Sequence, residues 1–221
     1  MTPSSLIRRC IKDPFPGLSH WVGAGLSVAG LVFLLTLSAG EAWRVVGCAI
    51  YGGTLIVLYA ASALAHTIRC SPQASDRLTR FDYVAIFLLI AGTYTPLCLV
   101  NLRGPWGWGM LAAEWGMAAL GIILVATGKG SSNWPRTVLY LFMAWVVALV
   151  AIAPMSRALP AAALAWLLIG GGVYSLGAIV FALDRPHLWP GRFVAHDLWH
   201  VSVLLGSGCH FFVILRFVAA S

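Results

Sequence analysis

Charge is what this 221-residue sequence has least of. Asp, Glu, Lys and Arg make up 10% of it, against 60% hydrophobic residues, and mean hydropathy is +0.89. A soluble domain of this length needs a charged surface, so these values exclude one and point to a polytopic membrane protein. Period-2 alternation is also missing, and the apolar runs are too long for strands, which sets aside a closed barrel. The five cysteines (Cys10, Cys48, Cys70, Cys98 and Cys209) are odd in number and form no close-spaced pair. Neither a disulfide framework nor a thiolate metal site is expected. There is no internal repeat or low-complexity tract. The net charge of +7 has no folded basic domain to carry it, so nucleic acid is not an expected partner.

What is there is a series of apolar runs of the length that spans a bilayer as helix, at roughly 18–38, 44–67, 81–101, 108–127, 136–154, 161–183 and 195–219. The expected fold class is all-α, a seven-transmembrane-helix bundle. A short N-terminal tail (1–17) precedes a single domain (18–221). The first run is too long for the core of a signal peptide and is kept as a helix. Arg8, Arg9, Lys12, Arg69, Arg77, Arg80, Lys129, Arg136, Arg185 and Arg192 fall on one side of the membrane, and Arg44, Arg103, Arg157 and Arg216 on the other. Ten against four places the N-terminus in the cytoplasm and the C-terminus outside. The basic collar meets anionic lipid headgroups, which makes membrane lipids the expected surroundings.

Polar residues gain a depth from this topology. His20 opens the first span, His66 closes the second, Asp82 opens the third, and His196 and His200 open the seventh. All five lie in the cytoplasmic half. Ionisable side chains inside a membrane are costly and face partners or functional sites. At about 100° per residue, His196, His200, Ser207 and His210 share one stripe. Ser62 and His66 share a face one turn apart, and Asp82 and Thr93 share a face about three turns apart. Asp197 falls off the stripe, toward headgroups or a loop. His20 and His210 read as helix–helix hydrogen bonds rather than ligands, His187 as a solvated loop residue, and Glu114 has no assignable partner.

His196 and His200, four residues apart, can reach one ion, and His66 supplies a third imidazole, completing a zinc site with one position open to water. Three neutral imidazoles leave Zn2+ its full double charge, which brings the pKa of a bound water to about 7. Asp82 could accept that water's proton, and Ser62 could hydrogen-bond the water or a neighbouring group. Such a site would attack an amide or ester carbonyl of an acyl chain threaded between helices.

Four stretches carry a further signal: FPGLSHWVGA in the first span, SALAH in the second, FDYVAIFLLIAGTYTP in the third and HDLWHVSVLLGSGCHF in the seventh. Together they resemble the hemolysin III branch of the progestin and adiponectin receptor superfamily, over about residues 13–217. The resemblance implies a seven-helix bundle with a cytoplasmic N-terminus and zinc bound by His66, His196 and His200. It places Ser62 and Asp82 on the family serine and aspartate. There is one departure: Asp13 can stand for an acid ahead of the first-helix histidine, but Pro16 occupies the place of an asparagine. Receptor members are similar to alkaline ceramidases, whereas bacterial members were named for haemolysis and some are linked to membrane-lipid homeostasis. The implied location is a bacterial inner membrane and the implied substrate lipid-like.

Four functions compete. A zinc-dependent intramembrane hydrolase of a lipid amide or ester needs the three histidines and Asp82. A non-enzymatic sensor needs zinc only as a staple between the second and seventh spans. A channel-forming haemolysin needs a polar path through the full membrane depth, of which the sequence shows only the stripe on the seventh span to His210. A haem protein needs one imidazole on each face of the ring, and three at one depth suit zinc better.

Overall fold

The computed structural model describes residues 11–128, 133–186, 188–189 and 193–221. Eight α-helices account for nearly all of them: α1 (Pro14–Leu37), α2 (Ala42–Thr67), α3 (Pro72–Pro96), α4 (Pro105–Ala126), α5 (Asn133–Val150), α6 (Ile152–Ala158), α7 (Ala161–Leu183) and α8 (Ala195–Ile214). Single π-helical turns, Leu97–Asn101 and Leu215–Ala219, extend α3 and α8. Apart from a lone bridge between Trp189 and Phe193, no β-pairing occurs among the described residues.

Six of these helices are long and apolar enough to cross a bilayer. Counted as one bent span, the pair α5–α6 makes a seventh. A helix that is apolar all round must be buried or face lipid, and both occur. Within α2 and α3, 56% of the most apolar stretch is buried, against 17% in α7. The outward faces carry Val22, Leu26, Val32, Leu149, Leu168 and Leu176, each at least half exposed. Trp106, Trp134 and Trp189 are exposed near helix ends, where an aromatic belt meets the headgroups. Each helix packs on its neighbours in sequence, and α1 also meets α8, which closes the ring around α2 and α3.

Two boundaries differ from the sequence reading. The third span begins at Pro72, not near residue 81. The Ser71 hydroxyl accepts a hydrogen bond from the Ala74 amide (3.3 Å), Pro72 sits at the start, and Arg80 pairs with Asp76 at 2.8 Å. These are helix-start and i,i+4 signals, and they carry a polar first turn that hydropathy alone reads as loop. The fifth span is not one straight helix over 136–154; it bends by 67° at Ala151. Pro154 has no N–H to give to the Val150 carbonyl, so the helix cannot continue through that turn.

Close approach of α7 and α8 fixes the last span. A Cβ on Gly206 would meet the Tyr174 ring at 2.7 Å, and one on Gly177 would strike Ser202. Only glycine permits that separation, and with it the depth at which the start of α8 enters the bundle. His187, Arg8, Arg9, Lys129, Arg192 and Cys10 lie outside the described residues. Cys48, Cys70, Cys98 and Cys209 are free thiols.

Candidate metal centre

His66 lies in the last turn of α2 and His196 and His200 in the first two turns of α8, so the site forms where one helix ends beside another's start. One donor atom from each comes within 4.8 Å of the others. The His196 and His200 rings are stacked, 4.8 Å between centroids and 6° between planes, as expected of residues one turn apart. Their Nε2 atoms are 2.9 Å apart. The His66 ring stands edge-on to both, with centroids at 5.0 Å from His196 and 4.8 Å from His200. A tetrahedral ion with bonds near 2.1 Å needs nitrogens roughly 3.4 Å apart. The observed spacings bracket that value, and three imidazoles are a fitting donor set for zinc.

The far sides of two rings are held. His66 Nδ1 lies 3.0 Å from Asp13 Oδ2, and the Asp13 amide donates to the His66 carbonyl at 2.8 Å. The hydrogen bond to His66 holds the Asp13 carboxyl below the usual carboxylate range, against the opposing effect of its part burial. His200 Nδ1 lies 3.0 Å from His20 Nε2 and 3.3 Å from His20 Nδ1. His20 is buried, with its ring edge-on to Tyr59 at 5.0 Å.

Asp82 comes to the same place from α3. Its Oδ2 lies 3.9 Å from His66 Nε2, beyond a hydrogen bond but on the side of the ring that faces the other two histidines. Ser62, buried one turn before His66, adjoins the Asp82 carboxylate. The sequence-derived set of Ser62, His66, Asp82, His196 and His200 is thus together.

A cavity of about 200 Å³ opens beside the histidines and is lined also by Lys12, Tyr83 and Arg136. Next to it runs an apolar slot of about 150 Å³ with Leu58, Leu89, Leu97 and Leu164 in its walls. Ile86, Tyr140, Ala178 and Trp199 line both spaces.

Other polar residues fall elsewhere. Asp197 does not face headgroups or a loop; it is buried, and its Oδ2 accepts from the Val194 amide at 2.8 Å, capping the start of α8. His210 Nε2 lies 3.3 Å from the Leu167 carbonyl and so joins α8 to α7. Thr93 returns its hydroxyl to the Leu89 carbonyl at 2.7 Å. Arg136 is not a loop residue: it is buried in α5, with its guanidinium 3.7 Å from the centre of the Tyr83 ring. Glu114 is fully buried, and neither carboxyl oxygen has a hydrogen-bond partner among the described residues.

Sequence reasoning missed the roles of Lys12 and Arg136, and it placed Asp13 only as a stand-in for the acid ahead of the first-helix histidine. For Asp13 a signal existed: an acid directly before Pro14 is a helix-start residue, placed at the same depth as the end of the second span.

The chain is similar to known proteins over most of its length. The family model described as Haemolysin-III related matches residues 8–211. The chain is 39% identical over 203 residues to Hemolysin-3 of Bacillus cereus, covering 91% of this chain and 89% of that protein. It is 35% identical over 200 residues to a Hemolysin-3 homolog of Bacillus subtilis, covering 90% of each. The human Monocyte to macrophage differentiation factor is 27% identical over 199 residues, 88% of this chain and 79% of the relative.

Proposed function

The chain belongs to the haemolysin-III-related family, and on that premise we propose that it is a zinc-dependent intramembrane hydrolase of a lipid amide or ester. The observation that carries this reading is the convergence of the three imidazoles, with the Asp82 carboxylate 3.9 Å from one of them and outside the converging group of three. Held by His66, His196 and His200, zinc would supply a Lewis acid that acidifies water and polarises a carbonyl.

The protein's own groups do the rest. Asp82 takes a proton from the attacking water as its oxygen bonds to the carbonyl carbon. It then returns that proton to the departing amine or alcohol as the C–N or C–O bond breaks. Ser62 holds the Asp82 carboxylate toward the histidines. The apolar slot beside the site takes the acyl chain, with Leu58 and Leu89 against its methylenes. Lys12 and Arg136 line the polar cavity, where the substrate's headgroup enters. Membrane lipids are then both solvent and substrate, and the expected location is a bacterial inner membrane with the site facing the cytoplasm.

The name of the bacterial relatives favours a second reading, a channel-forming haemolysin. The leucine-walled slot beside the histidines argues for an acyl chain in that space rather than an ion. The test is elemental analysis of the purified protein beside a His196→Ala variant, followed by hydrolysis of lipid amides and esters with and without a chelator. One zinc per chain, lost in the variant, and chelator-sensitive hydrolysis restored by added zinc are expected. Full hydrolysis by metal-free protein would overturn the reading.

A further inference from the structure

The far-side contacts of the triad have a shared origin. Both come from the start of α1: Asp13 is the residue before the helix, and His20 lies two turns into it. Neither is one of the three convergent histidines. Each touches one of those histidines at Nδ1, and each contact is 3.0 Å long. His66 and His200 therefore have one ring nitrogen occupied, while Nε2 of each points to the common centre, toward Asp82 and His196 respectively.

We propose that Asp13 and His20 are positioning residues that fix which nitrogen of His66 and His200 is presented to the metal, a role that rests on the metal-site reading above. An imidazole in solution carries its proton on either nitrogen, and only the bare one can ligate. With Asp13 Oδ2 accepting from Nδ1–H, the His66 lone pair is on Nε2, and the negative charge behind the ring raises its basicity. With a ring nitrogen of His20 accepting from Nδ1–H of His200, the same assignment holds there. His20 has the support to act in this way: it is 2% exposed, and the Tyr59 ring packs edge-on against it. Among the described residues His196 has no such partner, and it takes its orientation from stacking on His200 and from the Phe181 ring at 5.4 Å.

The arrangement gives α1 a defined task. Gly17 lets the start of α1 lie against the end of α2, where a Cβ would meet the Thr67 side chain at 2.5 Å. The Asp13 amide ties to the His66 carbonyl, and Lys12 Nζ reaches the Ala65 carbonyl at 3.4 Å. The backbone contact sets the distance, and the carboxylate then sets the tautomer.

Zinc affinity of the full-length protein in detergent, measured by competition with a coloured chelator, tests this without recourse to turnover. Asp13→Ala is expected to bind zinc 10–100-fold more weakly than the wild type. Asp13→Asn, whose amide oxygen still accepts but carries no charge, should fall between. His20→Leu, which keeps volume and removes the acceptor, should weaken binding similarly, while His20→Gln retains most of the affinity. Melting of the metal-free proteins is followed in parallel. It should be unchanged in the Asp13 variants, since the backbone bond to His66 remains. Affinity within twofold of wild type in Asp13→Ala and His20→Leu would overturn the proposal while leaving the metal site standing. Equal weakening in His20→Leu and His20→Gln would show packing rather than acceptance at that position and overturn the His20 half. Wild-type protein that binds no zinc would instead sink the metal-site reading, and this inference with it.

Discussion

Replacing Asp82 by asparagine removes one negative charge and changes almost nothing in volume, so it separates a proton acceptor from a metal ligand. Asp82 Oδ2 stands 3.9 Å from His66 Nε2, which is too long for direct hydrogen bonding. On the proposed reading, a carboxylate beside His66 but outside the converging group of three tunes metal affinity without ligating. Its loss should cost no more than about 10–100-fold in zinc binding. At saturating zinc the variant should therefore keep one metal per chain. A lost general base costs about 10²–10⁴ in rate, equivalent to roughly 3–5 kcal/mol of barrier. The assay is hydrolysis of a fluorescent lipid amide and its ester analogue under zinc-saturated conditions, with metal content measured on the same sample. Two outcomes would refute the reasoning. Metal lost from Asp82→Asn at saturating zinc would make Asp82 a ligand, closing the position that hydrolysis needs. Full hydrolysis by the metal-loaded variant would assign the proton elsewhere.

Three further outcomes are expected. His66→Ala, His196→Ala and His200→Ala should each bind zinc too weakly to survive purification; elemental analysis giving one zinc per chain in any of them would remove that residue from the site. A reporter fused after Ser221 should read as external and one fused before Met1 as cytoplasmic, and a cytoplasmic C-terminus would invert the assigned orientation of the site. Glu114→Met should stabilise the protein by about 1–3 kcal/mol, because a fully buried carboxyl with two unpartnered oxygens is exchanged for an apolar side chain; a lower thermal midpoint would mean that this carboxyl has a partner or task of its own.

Hydropathy alone was sufficient for the spans because a bilayer imposes one requirement on every residue of a crossing helix, namely that its backbone be satisfied internally and its side chains be apolar. It failed where a different force sets the boundary. The first turns of α3 are polar and were read as loop, yet Ser71, Pro72 and the Asp76–Arg80 pair supply local stabilisation that needs no lipid. The break at Ala151 was also visible in principle: Pro154 is four residues past Val150, but an average over about 20 residues does not register one missing N–H.

The site was legible to the extent that its residues repeat at helical spacing or share a membrane depth. His196 and His200 are fixed on one face by the four-residue interval, and His66 and Asp82 reach them because span ends coincide in depth. Asp197 went wrong for an instructive reason. Off the histidine stripe, it was assigned outward, but the first turn of a helix has unsatisfied N–H groups on every side, and the Val194 amide drew the carboxylate inward. Asp13 and His20 raise the same difficulty at longer range. Their contacts to Nδ1 of His66 and His200 depend on how closely α1 packs on α2, where Gly17 meets Thr67 and the Asp13 amide bonds His66, and on α8, where a Cβ on Gly30 would meet the Phe211 ring at 2.8 Å. Periodicity reports which face a residue is on but not which nitrogen of a neighbouring ring it touches. Which histidines converge was therefore readable from sequence, while the groups behind them required coordinates.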